Sequence, residues 1–253
     1  MLPELTQEEF SAALDRAASE ALLAAGKVRP PVDAFALAER LGLRVAFDDR
    51  QCGRGRFVRL KCRGRGSSCG PNGSILVRPD PRGERLQWAV AHEIGETLAE
   101  RVFQMLGVDT REAPANIREG VANHLAGRLL LPLAWFKPRA VRAGWNLLEL
   151  KRVFSTASHE LIARRMLDFE PAVVITIFDH SRLSWRRGNT CFKPGRMSDL
   201  ESHCRLKAHE TGQPQQDEDH AQAVWAWPVH EEGWKREILR TQLPSEDCYP
   251  DGG

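Results

Sequence analysis

Long apolar runs are missing from this chain of 253 residues, so the sequence predicts no transmembrane helix. Its first residues, Met1-Leu2-Pro3-Glu4-Leu5, lack the charged and then apolar pattern of a signal peptide. We therefore expect a cytoplasmic protein with no membrane partner. A hydrophobic content of 42% is enough to bury a sizeable core in one large domain, or in one domain with an appendage.

A strong charge of either sign is also missing. The formal net charge of +2 is too small to favour a nucleic-acid partner. The one local exception is the stretch from Arg50 to Arg65, which holds seven basic residues and no acidic one. Such a stretch can attract phosphate or an acidic peptide, but a solvated edge strand with its loops is the favoured interpretation.

The six cysteines form no Cys-x-x-Cys pair and have irregular spacings. A structural zinc site or a disulfide framework is therefore not expected, and reduced thiols are the default for a cytosolic protein. The cysteines are Cys52, Cys62, Cys69, Cys191, Cys204 and Cys248.

The most informative stretch is a predicted helix that carries His92-Glu93-x-x-Glu96. It differs by one residue from the His-Glu-x-x-His signature of zinc peptidases. Residues 92 and 96 are four apart and share a helix face, so both can reach one metal ion, while Glu93 can point at a bound water. The dipeptide His-Glu also occurs at residues 159, 209 and 230, where we predict surface pairs.

The first His-Glu pair differs from the other three because it lies in a segment with an apolar residue at every fourth position. Leu86, Val90, Ile94 and Leu98 form a continuous stripe, which indicates a helix with one buried face. The metal-binding prediction therefore rests on this helix.

The pattern of elements predicts an α+β fold: a mainly helical zincin-like peptidase domain with a small antiparallel sheet beside the motif helix, and a small C-terminal appendage that contains β-strands. We place the domains at residues 1–197 and 198–253. Helices are predicted over 7–25 (capped by Thr6), 32–43 and 116–131, with two or three more over 133–169. Strands are predicted over 44–47, 57–62, 74–78, 173–178, 224–227 and 234–239, and a flexible loop over 213–219.

The segment from residue 31 to residue 43 also resembles half of a helix-turn-helix, which would indicate DNA binding. It is followed directly by a predicted strand instead of a recognition helix with basic side chains near its start. This alternative is therefore not favoured.

A catalytic zinc site needs three protein ligands and an open position for water. His92 and Glu96 offer two ligands, and Glu119, near the start of the next predicted helix, offers a third. An acidic residue at the start of a helix also complements the helix dipole, which is the alternative explanation for Glu119.

Two ordered motifs give the chain a resemblance to the ImmA/IrrE family of metallopeptidases. The first is Trp88-Ala89-Val90-Ala91-His92-Glu93-Ile94-Gly95, and the second is Glu119-x-x-Ala122-Asn123-x-x-Ala126-x-x-Leu129-Leu130-Leu131-Pro132. The opening Pro31-Val32-Asp33-x-Phe35-x-Leu37-Ala38-Glu39-Arg40-Leu41-Gly42 is also similar to that family. The similarity spans residues 20–180.

The resemblance implies a zinc-dependent endopeptidase that cleaves a helix-turn-helix repressor in a stress or mobile-element response. It implies that His92 and Glu119 are metal ligands and that Glu93 is the catalytic base. Glu96 departs from the family, because it stands where members have their second histidine. A His-Glu-Glu site is chemically possible, although it is more electron-rich and would shift the preference from zinc towards manganese or iron.

Two functions therefore stay open. Either Glu96 supports a metal site and the protein is a metallopeptidase, or the chain is a catalytically degenerate regulator that binds a protein partner without cleaving it. In an active enzyme, a further donor should stabilise the oxyanion. The candidates are His124, His159 and His180, because the only tyrosine, Tyr249, lies in the C-terminal tail.

Overall fold

The computed structural model of the chain describes residues 6–50, 53–59, 73–109, 113–169 and 171–244. They form an α+β fold with eight α-helices and two sheets. The chain divides into two compact units, one comprising residues up to Arg142 together with Arg152–Ser158, and the other Ala143–Lys151 together with residues from His159 onward. Among the described helices, none is both long and apolar enough to span a membrane.

The first unit begins with helix α1, Gln7–Ala24, as the sequence predicts. The Thr6 side chain accepts a hydrogen bond from the Glu9 amide, and the Glu9 carboxylate accepts one from the Thr6 amide, which makes a capping box. Helix α2, Ala34–Arg40, begins at Asp33, whose side chain accepts from the Phe35 amide. Gly42 follows with a φ of 75°, and the chain continues into a strand.

A three-stranded sheet lies in the first unit, with the strand order β1-β3-β2. Its strands are β1 (Leu43–Phe47), β2 (Gly55–Arg59) and β3 (Gly73–Val77). The prediction of an antiparallel sheet is wrong in part: β2 pairs antiparallel with β3, but β1 pairs parallel with it. Strand β3 lies between the other two strands and pairs with both. Residues 60–62 of the predicted second strand lie outside the described residues.

Helices α3 (Gly83–Met105) and α4 (Ala115–Leu130) pack closely against each other. A Cβ atom added at Gly95 would lie 2.7 Å from the Ala122 carbonyl oxygen, so only glycine permits this approach. The close contact brings the face of α3 that carries residues 92 and 96 next to the start of α4. Three helices follow: α5 (Leu133–Arg142), α6 (Leu147–Val153) and α7 (His159–Arg165).

The second unit contains an antiparallel five-stranded sheet with the order β5-β4-β8-β7-β6. Its elements are β4 (Val173–Asp179), β5 (Arg182–Gly188), α8 (Asp199–Thr211), β6 (Gln215–Glu218), β7 (Ala223–Glu231) and β8 (Trp234–Gln242). Strands on both sides of residue 197, where the sequence places a domain boundary, belong to this one sheet.

The prediction of a flexible loop over residues 213–219 is wrong. Residues 215–218 form strand β6, which pairs with residues 223–226 of β7. The strand lies at the edge of the sheet and is largely exposed, so its side chains can all be polar. Because a polar sequence is also typical of a loop, the strand is not recognisable from its sequence. Helix α8 is likewise not predicted, although Ser198 and Glu201 form a capping box at its start.

Candidate active site

The structure brings together the three side chains that the sequence proposes as metal ligands. His92 Nε2 lies 3.8 Å from Glu96 Oε1 on the next turn of α3, and 3.5 Å from Glu119 Oε1 on α4. One ligand atom from each residue lies within 4.8 Å of the other two. We call His92, Glu96 and Glu119 the His92 cluster.

Asn123 orients two members of this cluster, a role that sequence reasoning missed. Its side-chain amide donates to Glu119 Oε1 over 3.3 Å, and its carbonyl oxygen lies 3.1 Å from His92 Nδ1. Because the carboxylate can only accept, the amide group faces Glu119 and the oxygen faces the ring. His92 Nδ1 therefore carries a proton, and Nε2 is the ring nitrogen that faces the two carboxylates.

The signal for Asn123 was present in the sequence. It lies four residues after Glu119, which places both side chains on the same face of α4. Asn123 is part of the second motif that resembles the ImmA/IrrE family, but the resemblance implies no function for it.

Glu93 lies next to the His92 cluster and contacts strand β2. It is only 4% exposed, and the Phe57 backbone N–H donates to its carboxylate. A Cβ atom added at Gly55 would lie 2.6 Å from Glu93 Oε1, so a larger residue there would displace the Glu93 side chain.

Burial is the main reason that the pKa of Glu93 is raised to about 7. The negative charges of Glu96 and Glu119 raise this pKa further, while the Phe57 N–H lowers it. A carboxyl with a pKa close to neutrality can both accept and return a proton at physiological pH. Glu93 thus has the properties that a general base requires.

A cavity of about 410 Å³ opens onto these groups. The backbone of β2 forms one side, with Arg54 and Arg56 flanking Gly55, and helices α3 and α4 form the other. Its lining residues are Arg54, Gly55, Arg56, Phe57, Trp88, Ala89, His92, Glu93, Glu96, Glu119 and Asn123. The two arginines belong to the basic stretch noted in the sequence, so part of that stretch faces the cavity.

The residues proposed as oxyanion donors are not among those lining the cavity. The His124 ring packs edge-on against Phe10, with ring centroids 5.8 Å apart. His159 and His180 belong to the second unit. Tyr249 lies outside the described residues, as do four of the cysteines: Cys52, Cys62, Cys69 and Cys248.

Comparison with known proteins gives a structural likeness alone. No known family profile matches the sequence, and no curated protein matches it. Among solved structures, the chain is similar to a Mycobacterium tuberculosis transcriptional regulator, with a TM-score of 0.63 over 93% of this chain and 81% of that chain. The two sequences are 15% identical, so the likeness shows a shared fold and assigns no activity.

Proposed function

We propose that this protein is a metal-dependent endopeptidase with a zincin-like domain, and that it cleaves a transcriptional repressor or a similar regulatory protein. One observation carries the proposal: the buried carboxyl of Glu93 lies beside three side chains that can share a metal ion. The resemblance of two motifs to the ImmA/IrrE family supports a regulatory protein as the substrate.

The distances within the His92 cluster fit a divalent metal ion. In a tetrahedral zinc site with bonds of about 2.0–2.1 Å, neighbouring ligand atoms lie about 3.3 Å apart. The 3.5 Å and 3.8 Å separations from His92 Nε2 are close to that value, so small rotations of the two glutamates would complete the site. When bound, the ion would supply Lewis-acid polarisation of the scissile carbonyl and would acidify water.

Glu96 determines how strong that Lewis acid is. Two carboxylates neutralise a divalent ion, whereas two histidines and one carboxylate leave a charge of +1. The more electron-rich site polarises a carbonyl less, and it tolerates manganese or iron better than a histidine-rich site does. We therefore expect a slower enzyme than one with histidine at this position, with zinc still the first metal to test.

The chain's own groups perform the remaining steps. Glu93 accepts a proton from the attacking water and delivers it to the leaving amine nitrogen. Asn123 holds the tautomer of His92 in which Nδ1 carries the proton. Strand β2 is an edge strand that lines the cavity, so an extended peptide can bind along its backbone.

A cleavage assay tests the proposal. The purified chain is incubated with the repressor encoded nearest to its gene, first with zinc and then with manganese, and fragments are identified by mass spectrometry. Glu93→Gln should retain the metal and lower the cleavage rate about 10²–10⁴-fold. Glu100→Gln is the matched control, because Glu100 is an exposed glutamate on the same helix, and it should cleave at the wild-type rate.

Two results would contradict this assignment. Less than about a tenth of an equivalent of any transition metal in protein purified without chelator would remove the metal site on which the proposal depends. Cleavage at the wild-type rate by Glu93→Gln would remove the assigned base.

A second candidate function is that of a regulator that binds a protein partner in the same cavity without cleaving it. Glu96, in place of a histidine, favours it, and one solved structure with a shared fold is that of a transcriptional regulator. This candidate predicts that the repressor binds equally well to the wild type and to Glu93→Gln. It also predicts that no specific fragment forms with either metal, and a single specific fragment would exclude it.

A further inference from the structure

Outside the cavity, three side chains of the second unit converge on one point. His209 lies in the last turn of α8, His230 lies on β7, and Glu237 lies on β8. His209 Nδ1 and His230 Nε2 each lie 2.8 Å from the same atom, Glu237 Oε1. We call these three residues the His209 cluster, and one ligand atom from each lies within 4.8 Å of the other two.

The prediction that His209-Glu210 and His230-Glu231 are surface pairs is wrong for the two histidines. Their side chains are 25% and 22% exposed, and both rings are directed at the buried Glu237. The sequence gives no sign of this arrangement, because the partner of His209 lies 28 residues further along the chain.

Glu237 occupies an unusual position for a carboxylate. Strand β8 lies between β4 and β7, and the Glu237 side chain is completely buried. Its second oxygen, Oε2, is buried and has no hydrogen-bond partner. Within the described part of the chain, its ion pairs are with the two histidines and not with an arginine or lysine. A buried anion is costly unless a cation neutralises it.

Another buried glutamate of the same unit, Glu201, has its negative charge neutralised by an arginine. Glu201 accepts two hydrogen bonds from the Arg186 guanidinium, over 2.9 and 3.0 Å, and a third from the Thr241 hydroxyl. A permanent cation thus neutralises Glu201. A histidine neutralises Glu237 only while it is protonated, and one oxygen of Glu237 has no hydrogen-bond partner.

We propose that the His209 cluster is a zinc-binding site, in which His209 Nδ1, His230 Nε2 and the Glu237 carboxylate are the ligands. Two histidines and one carboxylate are an established zinc ligand set. The 2.8 Å separations need to open by about 0.5 Å to match a tetrahedral site with bonds of about 2.0–2.1 Å. Each ring must present a lone pair to the ion, so the proton that faces Glu237 moves to the other ring nitrogen.

The position of the site indicates what a bound ion would do. Its three ligands come from a helix and from both strands of the β7–β8 hairpin, so zinc would fasten the end of α8 to the sheet. The ion would also neutralise Glu237 and engage its free oxygen. Since both histidines are partly exposed, water can take the fourth position.

Zinc binding by the full-length chain tests the proposal. The test protein carries His92→Gln and Glu119→Gln, so that the His92 cluster cannot contribute. We expect it to bind one equivalent of zinc, and to give the visible absorption of tetrahedral cobalt when Co²⁺ is used as the probe. Adding His209→Gln should weaken zinc affinity by about 100-fold, as should His230→Gln in a separate variant.

The matched control is His203→Gln, the same substitution at an exposed position of the same helix, which should leave zinc affinity unchanged. Cooperative thermal unfolding of each metal-free variant shows that it is folded. In addition, zinc should raise the melting temperature of the test protein but not that of the His209→Gln or His230→Gln variants.

Two outcomes would overturn the inference. One is a zinc dissociation constant above about 100 µM for the test protein. The other is equal zinc affinity in folded His209→Gln, His230→Gln and His203→Gln variants. Because the test protein lacks the His92 cluster, neither outcome depends on whether the chain is a peptidase.

Discussion

The His92 cluster and the His209 cluster combine the same two residue types, yet they distribute exposure differently. In the His92 cluster, the carboxylates of Glu96 and Glu119 are 45% and 56% exposed and line an open cavity. The buried carboxyl there, Glu93, is not among the three ligands. In the His209 cluster, the buried carboxyl is Glu237, one of the three.

We interpret this difference as the one between the proposed catalytic site and the proposed stabilising zinc site. In metal-free protein, burial and the charges of neighbouring carboxylates raise the pKa of Glu93, which lies beside the ligand set, so this carboxyl can exchange a proton near neutral pH. A buried carboxyl within the ligand set is instead committed to the ion. Histidine and glutamate at short distances are therefore not enough to indicate catalysis, and the position of the buried carboxyl decides the interpretation.

The largest expected effect is a loss of stability when the buried carboxylate of Glu201, in the second unit, loses the cation that neutralises it. Arg186→Gln leaves Glu201 buried without its cation, and the free energy of unfolding should fall by about 3–5 kcal/mol. Urea denaturation measures this loss. Arg187→Gln, at the exposed neighbouring position, is the control and should cost far less. Equal stability of the two variants would undermine the argument that Glu237 needs a cation.

The next effect concerns the orientation of ligands in the His92 cluster. Asn123→Ala removes the group that fixes the tautomer of His92, so metal affinity should fall by about 10–100-fold. Equilibrium dialysis measures the affinity, and Asn116→Ala, at an exposed position of the same helix, provides the control. An unchanged affinity in Asn123→Ala would mean that the ring is held by other contacts.

Closely packed helices should make the His92 cluster sensitive to a single methyl group. Gly95→Ala places a Cβ atom 2.7 Å from a backbone oxygen of α4 and should cost about 1–3 kcal/mol of unfolding free energy. Gly120→Ala, in open space on α4, should be neutral or stabilising by about 0.5–1 kcal/mol. Zinc binding by the His209 cluster should be unaffected in both variants, and a loss there would contradict the separation of the two sites.

The last comparison is a pH dependence at Glu93, measured in metal-free protein. The folded-state pKa is raised from 4.5 to about 7, so the folded state binds the proton more tightly than the unfolded state does. Wild-type stability should therefore fall as pH rises from 4.5 to 7. Glu93→Gln carries no charge, so thermal unfolding should show equal stability below pH 4.5 and a more stable variant above pH 7. A constant difference across this range would show that the carboxyl is not shifted.

The sequence by itself determined most of the local structure and the membership of the His92 cluster. The capping residue Thr6 and the four-residue spacing of Val90 and Ile94 predict α1 and α3, because capping and helical periodicity depend only on nearby residues. The same periodicity places His92 and Glu96 on one face. The polar strand β6 was not predicted, because its pairing with β7 cannot be inferred from the composition of β6 alone.

Only the tertiary structure decided which buried groups lie next to one another. The approach of Gly55 to Glu93, which raises the pKa of that carboxyl through burial, joins residues 38 positions apart. The His209 cluster likewise forms only when α8 packs on the β7–β8 hairpin. Burial and charge proximity are properties of packed elements, so a pattern read along the chain identifies candidate ligands and a candidate base, but it cannot show that Glu93 is buried or reveal the His209 cluster.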